Sequence, residues 1–238
     1  MLSYIFPPRC AVCRRILPPG TMPEICPDCE KELPRIEDPR CEVCGTPMNS
    51  EFAMPWCADC AKGRYFEKCF VPFRHADGVR RAITNMKYYD RPARSRYFAG
   101  EIAKELGDFR PDYITFVPQD AKTDSERGYN QTRLIAKALG KLLKVPVRTA
   151  LRRSPYGRHQ VGLSGAERRR NARQLFRPGN KRLSGTWLLV DDVTTTSATA
   201  TACAKCLLEA GASAVTVITA AQTARPSRSK EDGEGIKA

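Results

Sequence analysis

Eight cysteines near the N-terminus constrain the fold of this chain more than any other feature. They form four Cys-x-x-Cys pairs, and the spacing of the first two pairs recurs in the last two after an offset of 31 residues. The two quartets are Cys10, Cys13, Cys26 and Cys29, then Cys41, Cys44, Cys57 and Cys60. A Cys-x-x-Cys turn directs two thiolates at one metal ion, and two such turns supply the tetrahedral sulfur set that zinc prefers. The sequence therefore predicts a duplicated zinc-binding unit.

The residues between these cysteines indicate why a metal is needed. They are rich in proline and poor in large apolar side chains, so hydrophobic burial alone cannot fold the segment. Disulfide bonds are the alternative, but the N-terminus does not read as a secretory signal, which favours the cytoplasm and reduced thiols. We expect two structural zinc ions, because neither quartet keeps an open fourth position. We favour a sequential arrangement, in which two consecutive Cys-x-x-Cys pairs bind the same zinc ion, over a cross-braced one.

A third kind of Cys-x-x-Cys pair lies near the C-terminus. Cys203 and Cys206 stand in an alanine-rich stretch with helical character. We expect them to be small buried residues rather than metal ligands.

Basic charge is concentrated in the second part of the chain. The net charge is +14, yet residues 1–62 carry seven Lys and Arg against nine Asp and Glu. Residues 64–96 carry nine basic and three acidic side chains, and residues 152–173 carry seven arginines against one glutamate. Such a field favours polyanionic partners, either phosphorylated small molecules or nucleic acid. No apolar run is long enough to span a bilayer, so we expect no membrane insertion.

A strand, a hydroxyl-rich loop and a helix follow one another after residue 186. The apolar run Trp187–Val190 predicts a buried parallel strand, and residues 214–219 predict a second one. Asp191 and Asp192 follow the first strand, at the edge where parallel sheets bind ligands. The helix that begins near Ser197 offers backbone N–H groups and a favourable dipole to a phosphate. Simple capping is the alternative, but two adjacent acids and four hydroxyl side chains in five positions are more than a cap requires.

The segment from Asp191 to Thr199 resembles the motif that binds phosphoribosyl diphosphate (PRPP) in type I phosphoribosyltransferases. That motif usually ends Thr-Thr-Gly-Ala-Thr, so Ser197 replaces a glycine. The resemblance implies that Asp191 and Asp192 are the catalytic pair and hold the ribose hydroxyls, directly or through Mg²⁺. It also implies that the 5-phosphate of PRPP lies on the loop residues Thr194, Thr195, Thr196, Ser197, Ala198 and Thr199.

Further motifs extend the resemblance along the chain. Val117-Pro118 ends an apolar strand, and Arg127-Gly128-Tyr129-Asn130-Gln131 opens a helix. Together with the cysteine repeat, this series is similar to the ComF family of competence proteins over roughly residues 5–222. The resemblance implies that residues 152–173 form a mobile basic hood over the ligand. It further implies basic contacts to the pyrophosphate side of PRPP from Lys122, Arg127, Arg152 and Arg168.

These patterns predict an α/β fold in two parts. A small N-terminal double zinc-ribbon module, expected over residues 1–62, precedes a type I phosphoribosyltransferase-like domain over residues 63–224. The second domain should contain a mainly parallel sheet flanked by helices. Residues 225–238 are polar, and we expect them to form a disordered tail.

Two functions fit this organisation. In the first, a PRPP pocket serves binding or regulation while the basic surface handles single-stranded DNA, as the family's association with DNA uptake implies. A helicase of the uptake machinery is then a possible partner of the acidic zinc module. Aromatic side chains among the basic residues could stack on unpaired bases; they are Phe73, Tyr88, Tyr89, Tyr97 and Tyr156. The alternative is that several of them are core residues, which we expect for Phe73. In the second, the chain is an active phosphoribosyltransferase, in which a nitrogen nucleophile displaces pyrophosphate from PRPP with the help of magnesium.

Overall fold

A computed structural model of the chain describes residues 7–18, 25–48, 54–88, 92–119, 129–154, 175–179 and 182–223. The helices of this part are α1 (Pro27–Lys31), α2 (Asp77–Tyr88), α3 (Pro92–Leu106), α4 (Gln131–Leu143) and α5 (Ala198–Glu209). The strands are β1 (Cys69–Phe70), β2 (Phe73–Arg74), β3 (Tyr113–Phe116), β4 (Leu151–Arg153), β5 (Phe176–Pro178), β6 (Thr186–Thr194) and β7 (Ala214–Gln222). No helix in the described ranges combines the length and the apolar character needed to cross a membrane.

A parallel sheet organises the second part of the chain. Within the described residues it has five strands: β3 pairs with β6, β6 pairs with β7, and both β1 and β2 pair with β7. Phe116 is in register with Val190, and Val190 with Ile218, so the carboxyl ends of these strands lie along one edge. The helix α5 connects β6 to its parallel neighbour β7, as such a pair requires. The predicted α/β class with a mainly parallel sheet is confirmed.

The strand β6 shows why both faces of the sheet are covered. Successive side chains of a strand point to opposite faces. Trp187 and Leu189 pack with α5 residues such as Leu207, whereas Leu188 and Val190 belong to the cluster on the other face. Burying one such leucine contributes about 1.5–3 kcal/mol. Cys203 and Cys206 are also buried in the α5 cluster, as the sequence predicted.

The first zinc-binding unit shares its core with the parallel sheet. Val12 and Leu33 join the cluster that contains Phe73 of β2 and Val79 of α2. A Cβ atom at Gly78 would lie 3.0 Å from Val12 and 3.1 Å from Leu33, so α2 approaches this unit closely. Apolar burial therefore couples the stability of the cysteine unit to that of the α/β part.

An ion pair reinforces the same contact. The Arg35 guanidinium lies 2.7 Å from a carboxylate oxygen of Glu101, a residue of α3 that is 3% exposed. Arg35 also covers the ring of Phe73, 5.0 Å from its centroid. A carboxylate this deeply buried needs cationic partners, and Arg35 from the N-terminal module joins Lys104 of α3 in that role.

Candidate functional site

Each predicted cysteine quartet comes together in space. The four Sγ atoms of each quartet lie within 4.8 Å of one another. The Sγ atoms of Cys13 and Cys26 are 3.8 Å apart, and those of Cys44 and Cys57 are 3.7 Å apart. A tetrahedral zinc ion with Zn–S bonds of about 2.3 Å places its sulfurs about 3.8 Å from each other. The quartets therefore fit two structural zinc ions, with consecutive cysteines paired as the sequence favoured.

The protein surroundings already favour a thiolate in each quartet. Burial acts to raise the pKa of Cys10, but backbone hydrogen bonds, led by the amide of Cys26, outweigh it and lower the pKa to about 6. Hydrogen bonds with the thiols of Cys44 and Cys60 lower the pKa of Cys41. Several thiolates this close repel one another unless a cation lies between them, which is the role that zinc fills.

The duplication in the sequence is also a duplication in structure. The backbones of Arg9 and Ile16 form an antiparallel β-bridge in the first unit. Those of Arg40 and Pro47 form the same bridge in the second unit, 31 residues later. The residue after each first Cys-x-x-Cys pair has a positive φ, 67° at Arg14 and 68° at Gly45. Both units therefore use the same turn, which glycine accommodates without strain and arginine does not.

Gly45→Ala is expected to lower the free energy of unfolding by about 2–4 kcal/mol, the sum of left-handed strain and overpacking. The added Cβ would lie 2.4 Å from a methyl group of Val71 and 3.1 Å from the carbonyl oxygen of Cys69. Val71 is fully buried and cannot easily move aside. Urea unfolding of the two zinc-loaded proteins measures the difference.

Gly63→Ala is the matched control for this substitution. Gly63 also has a positive φ, 84°, but nothing lies within 4 Å of the position its Cβ would take. It should therefore lose only the strain component. Equal losses of stability in the two variants would contradict the proposed clash at Gly45.

The strand β6 continues through both predicted site aspartates. Whereas the apolar run ends at Val190, β6 extends to Thr194 because β7 pairs with it as far as Gln222. Asp191 is 7% exposed and Asp192 is half-buried. An oxygen of Asp191 accepts from the backbone N–H of Asp192 at 2.9 Å, and an oxygen of Asp192 accepts from that of Val193 at 2.8 Å. Both carboxylates are thus anchored to the backbone at the carboxyl edge of the sheet.

The turn after β6 explains why the PRPP motif of phosphoribosyltransferases usually has a glycine at the position of Ser197. Ser197 has a φ of 59°, in the left-handed region, and it precedes the first residue of α5. It is buried, and its carbonyl accepts from the backbone N–H and the hydroxyl of Thr201 at 2.8 and 2.7 Å. Its side chain makes no capping hydrogen bond to α5. A serine here costs roughly 1 kcal/mol of backbone strain but keeps the shape of the turn.

The remaining loop positions differ in exposure. Thr194 is buried, and its hydroxyl lies 3.4 Å from that of Ser197. Thr195, Thr196 and Thr199 are exposed, and Ala198 is half-buried. These exposed threonines are therefore open to solvent beyond the end of the strand that carries the aspartates.

Only one of the predicted pyrophosphate contacts lies in the described part of the chain. Lys122, Arg127 and Arg168 lie outside it, as does most of the predicted hood. Arg152 is exposed on β4, opposite Arg177 of the antiparallel strand β5. The carbonyl of Phe176 in β5 lies 3.4 Å from the Cys206 thiol, so this ribbon rests on α5.

Two of the aromatic residues considered for base stacking lie in the core. Phe73 is fully buried, as expected, but Tyr97 is only 5% exposed and stacks on Phe73 in the core. The helix α3 turns Tyr97 towards the sheet, although basic residues surround it in sequence. The side chains of Tyr88, Tyr89 and Tyr156 lie outside the described part of the structure.

A buried amide cluster, which the sequence did not indicate as part of the site, lies beside it. Asn130 caps the N-terminus of α4, and its side-chain oxygen accepts from the backbone N–H of Arg133 at 2.9 Å. Gln131 is fully buried, and its side-chain oxygen accepts from the amide of Gln119, just beyond β3. Since β3 and β6 are neighbours, this polar cluster and the aspartates lie at the same edge of the sheet.

Sequence comparisons agree with the resemblance that the motifs indicate. Residues 1–61 match the family described as a double zinc ribbon domain. Competence protein F of Haemophilus influenzae is 27% identical over 210 residues, which cover 81% of this chain and 88% of that protein. Competence protein ComFC of Bacillus subtilis is 24% identical, with 80% of each chain covered. The resemblance to the ComF family is confirmed. DNA utilization protein YhgH of Escherichia coli is 29% identical, covering 89% of this chain and 95% of that one.

Solved structures with a similar chain path include phosphoribosyltransferases. Glutamine PRPP amidotransferase from Bacillus subtilis has 19% identity and a TM-score of 0.40, covering 58% of this chain and 30% of that one. Adenine phosphoribosyltransferase from Thermoanaerobacter pseudethanolicus has 17% identity and a TM-score of 0.38, covering 54% and 69%.

Proposed function

We propose that this chain is a cytoplasmic protein that binds PRPP, or a related phosphoribosyl ligand, and handles single-stranded DNA during DNA uptake. The observation that carries the PRPP part is the arrangement at the end of β6, where two aspartates of the strand precede a buried left-handed turn and the start of α5. This order places acceptors for a diol before donors for a phosphate, as a sugar phosphate requires.

Each part of the ligand has a partner of suitable chemistry. Asp191 and Asp192 accept hydrogen bonds from the two ribose hydroxyls or bind the Mg²⁺ that accompanies PRPP. The backbone amides and hydroxyls from Thr195 to Thr199 bind the 5-phosphate. Arg152 supports the pyrophosphate end, since its exposed guanidinium can bind phosphate oxygens in a bidentate manner.

Calorimetry with magnesium tests this assignment directly. PRPP should bind with one molecule per chain. Ribose 5-phosphate should bind more weakly, because it keeps the diol and the 5-phosphate but lacks the pyrophosphate. Inorganic pyrophosphate alone should bind weakest. Equal affinity for all three anions would indicate a non-specific basic surface instead of a phosphoribosyl site.

The proposed DNA function is supported by the relatives and by the charge distribution. Two relatives are named competence proteins and a third is named a DNA utilization protein. Three arginines, Arg74, Arg80 and Arg81, are exposed at the end of β2 and in the first turns of α2. Arginines on one short stretch can neutralise consecutive phosphates of a single strand.

Arg80→Ala combined with Arg81→Ala is expected to weaken binding of an oligothymidylate and to flatten its salt dependence. Each lost phosphate contact lowers the slope of log K against log salt by about 0.7 for single strands, so the pair lowers it by about 1.4. Fluorescence anisotropy at several salt concentrations measures the slope. Lys137→Ala with Lys141→Ala, two exposed lysines of α4, removes the same charge elsewhere. Equal changes in both double variants would contradict a DNA track at α2.

An active phosphoribosyltransferase is the second candidate function. The amide cluster of Gln119 and Gln131 favours it, because polar groups at the edge of β3 lie beside the aspartates. In this function, a nitrogen nucleophile attacks the C1 atom of PRPP, the C1–O bond to pyrophosphate breaks, and pyrophosphate leaves. Release of pyrophosphate from PRPP in the presence of individual nucleobases tests it. Tight PRPP binding without release for any base would favour the binding function.

A further inference from the structure

The second zinc unit contacts the end of β7 through a buried glutamine. The side-chain nitrogen of Gln222 donates to the Thr46 hydroxyl at 2.9 Å and to the Cys44 carbonyl at 3.4 Å. The Thr46 hydroxyl lies 3.1 Å from the sulfur of Cys44, one of the zinc ligands. Gln222 is 3% exposed, so these hydrogen bonds are shielded from water. A short polar chain therefore links the second zinc quartet to the last residue of β7.

The same residue of β7 adjoins the start of the candidate phosphate loop. Gln222 pairs with Thr194, and the backbone N–H of Thr223 donates to the carbonyl of Thr194 at 2.9 Å. Thr194 in turn contacts Ser197 through their hydroxyls. The position of Gln222 therefore sets the point at which the loop leaves the sheet.

A second polar chain reaches the other end of the loop. The Arg64 side chain lies close enough to Cys60 of the second quartet to favour the charged form of its thiol, and its guanidinium lies 3.5 Å from the Thr201 hydroxyl. Thr201 binds the carbonyl of Ser197, the left-handed residue at the centre of the turn. Four thiolates around one Zn²⁺ carry a net charge of about −2, which holds a guanidinium firmly. Arg64 thus links the metal site to the first turn of α5.

The first zinc unit provides an internal comparison. The residue equivalent to Thr46 is Arg15, whose side chain is 65% exposed and forms an ion pair with Asp28 at 2.7 Å. The residue equivalent to Arg64 is Leu33, which packs in the apolar core. Among the described contacts of Arg15 and Leu33, none reaches the loop after β6. The repeat has therefore kept the metal site twice but connects only the second one to the candidate site.

We infer that Arg64 and Gln222 are positioning residues through which the second zinc site holds the phosphate loop, Thr194–Thr201, in its binding conformation. The ligand part of this inference rests on the proposed function, whereas the mechanical part does not. The loop is a strained turn between a strand and a helix. One end is paired with Gln222, which is hydrogen-bonded to the zinc ligand Cys44, and the other end lies beside Arg64, which faces the zinc ligand Cys60. Loss of either link frees one end of the turn, and the amides of the loop then no longer converge on one phosphate.

The experiment compares Gln222→Met and Arg64→Met, singly and combined, with the wild-type chain. Methionine keeps the length and the apolar stem of both side chains but removes their hydrogen bonds. With both zinc ions retained, as metal analysis checks, amide exchange in residues 194–201 should quicken by about 10-fold or more in the double variant. Affinity for PRPP should fall by about 10-fold. Arg64→Lys should recover part of both losses, because it keeps the charge beside the zinc site.

Arg15→Met is the control at the equivalent position of the first unit, and it should change neither readout. Unchanged amide exchange in residues 194–201 of the zinc-loaded double variant overturns the inference, whether or not the affinity for PRPP changes. If the wild-type chain binds no PRPP but exchange in the loop quickens, the proposed function fails and the positioning role stands. Should the double variant not fold, Thr46→Val decides by the same exchange measurement. It removes only the hydroxyl that receives the Gln222 hydrogen bond, and unchanged exchange again overturns the inference.

Discussion

Replacing Asp191 and Asp192 together by asparagine is expected to lower the affinity for PRPP by at least about 100-fold. Each hydrogen bond to a charged group contributes about 1.5–3 kcal/mol, and the two carboxylates together hold the diol or its Mg²⁺. Asparagine keeps the shape of aspartate and can still accept the backbone N–H that anchors each side chain. The variant should therefore fold normally. Calorimetry with magnesium and PRPP measures the loss.

Asp112→Asn is the control at the opposite edge of the sheet. Its exposed carboxylate accepts from the backbone N–H of Thr186 at 2.7 Å and from the hydroxyl at 2.9 Å, at the amino end of β6. The backbone hydrogen bond from Thr186 also lowers the pKa of Asp112. Substituting asparagine there removes one negative charge beside the same pair of strands, at the end remote from the turn, and should leave PRPP affinity unchanged. An unaltered affinity in the Asp191 and Asp192 variant would refute the site.

Removing zinc is expected to unfold the N-terminal module and to destabilise the α/β part as well. Zinc binding contributes about 10–16 kcal/mol in small zinc-finger peptides, and this segment has little core of its own. Val12 and Leu33 are shared with the core around Phe73, and Glu101 keeps only Lys104 as a cationic partner if Arg35 moves away. Losing one of two cations beside a buried carboxylate destabilises the fold, although less than losing its sole partner.

Hydrogen exchange before and after chelation measures how far this unfolding spreads. Protection should disappear from residues 7–62 and should also decrease in α2 and α3, which pack on the first zinc unit. Adding zinc back should restore it. Protection that survives complete zinc removal in residues 7–62 would contradict the metal-dependent fold. A loss confined to those residues would contradict the shared core.

Local patterns were sufficient to predict the metal sites and the strand before the loop. Cysteine spacing fixes which sulfurs can reach one ion, and a continuous apolar run such as Trp187–Val190 is typical of a strand buried on both faces. The length of β6 was not predictable in the same way. Two charged residues interrupt the apolar pattern, and only pairing with β7 extends the strand to Thr194.

Contacts between distant parts of the sequence had no local signal. Gln222 and Thr46 are 176 residues apart, and Arg64 and Thr201 are 137 residues apart. Nothing in the neighbourhood of any of these residues indicates its partner. The prediction that Tyr97 stacks on bases failed for a related reason. Its sequence neighbours are basic, but the helical periodicity of α3 places it on the face that packs against Phe73. Tertiary packing decided these positions.

A crystal structure of the chain soaked with PRPP and magnesium tests most directly whether the turn after β6 binds a sugar phosphate. We expect a 5-phosphate within hydrogen-bond distance of the amides between Thr195 and Thr199. We also expect ribose hydroxyls, or an intervening metal ion, at the carboxylates of Asp191 and Asp192. PRPP bound elsewhere on the protein, with this turn and both carboxylates making no contact to it, would contradict the phosphoribosyl site.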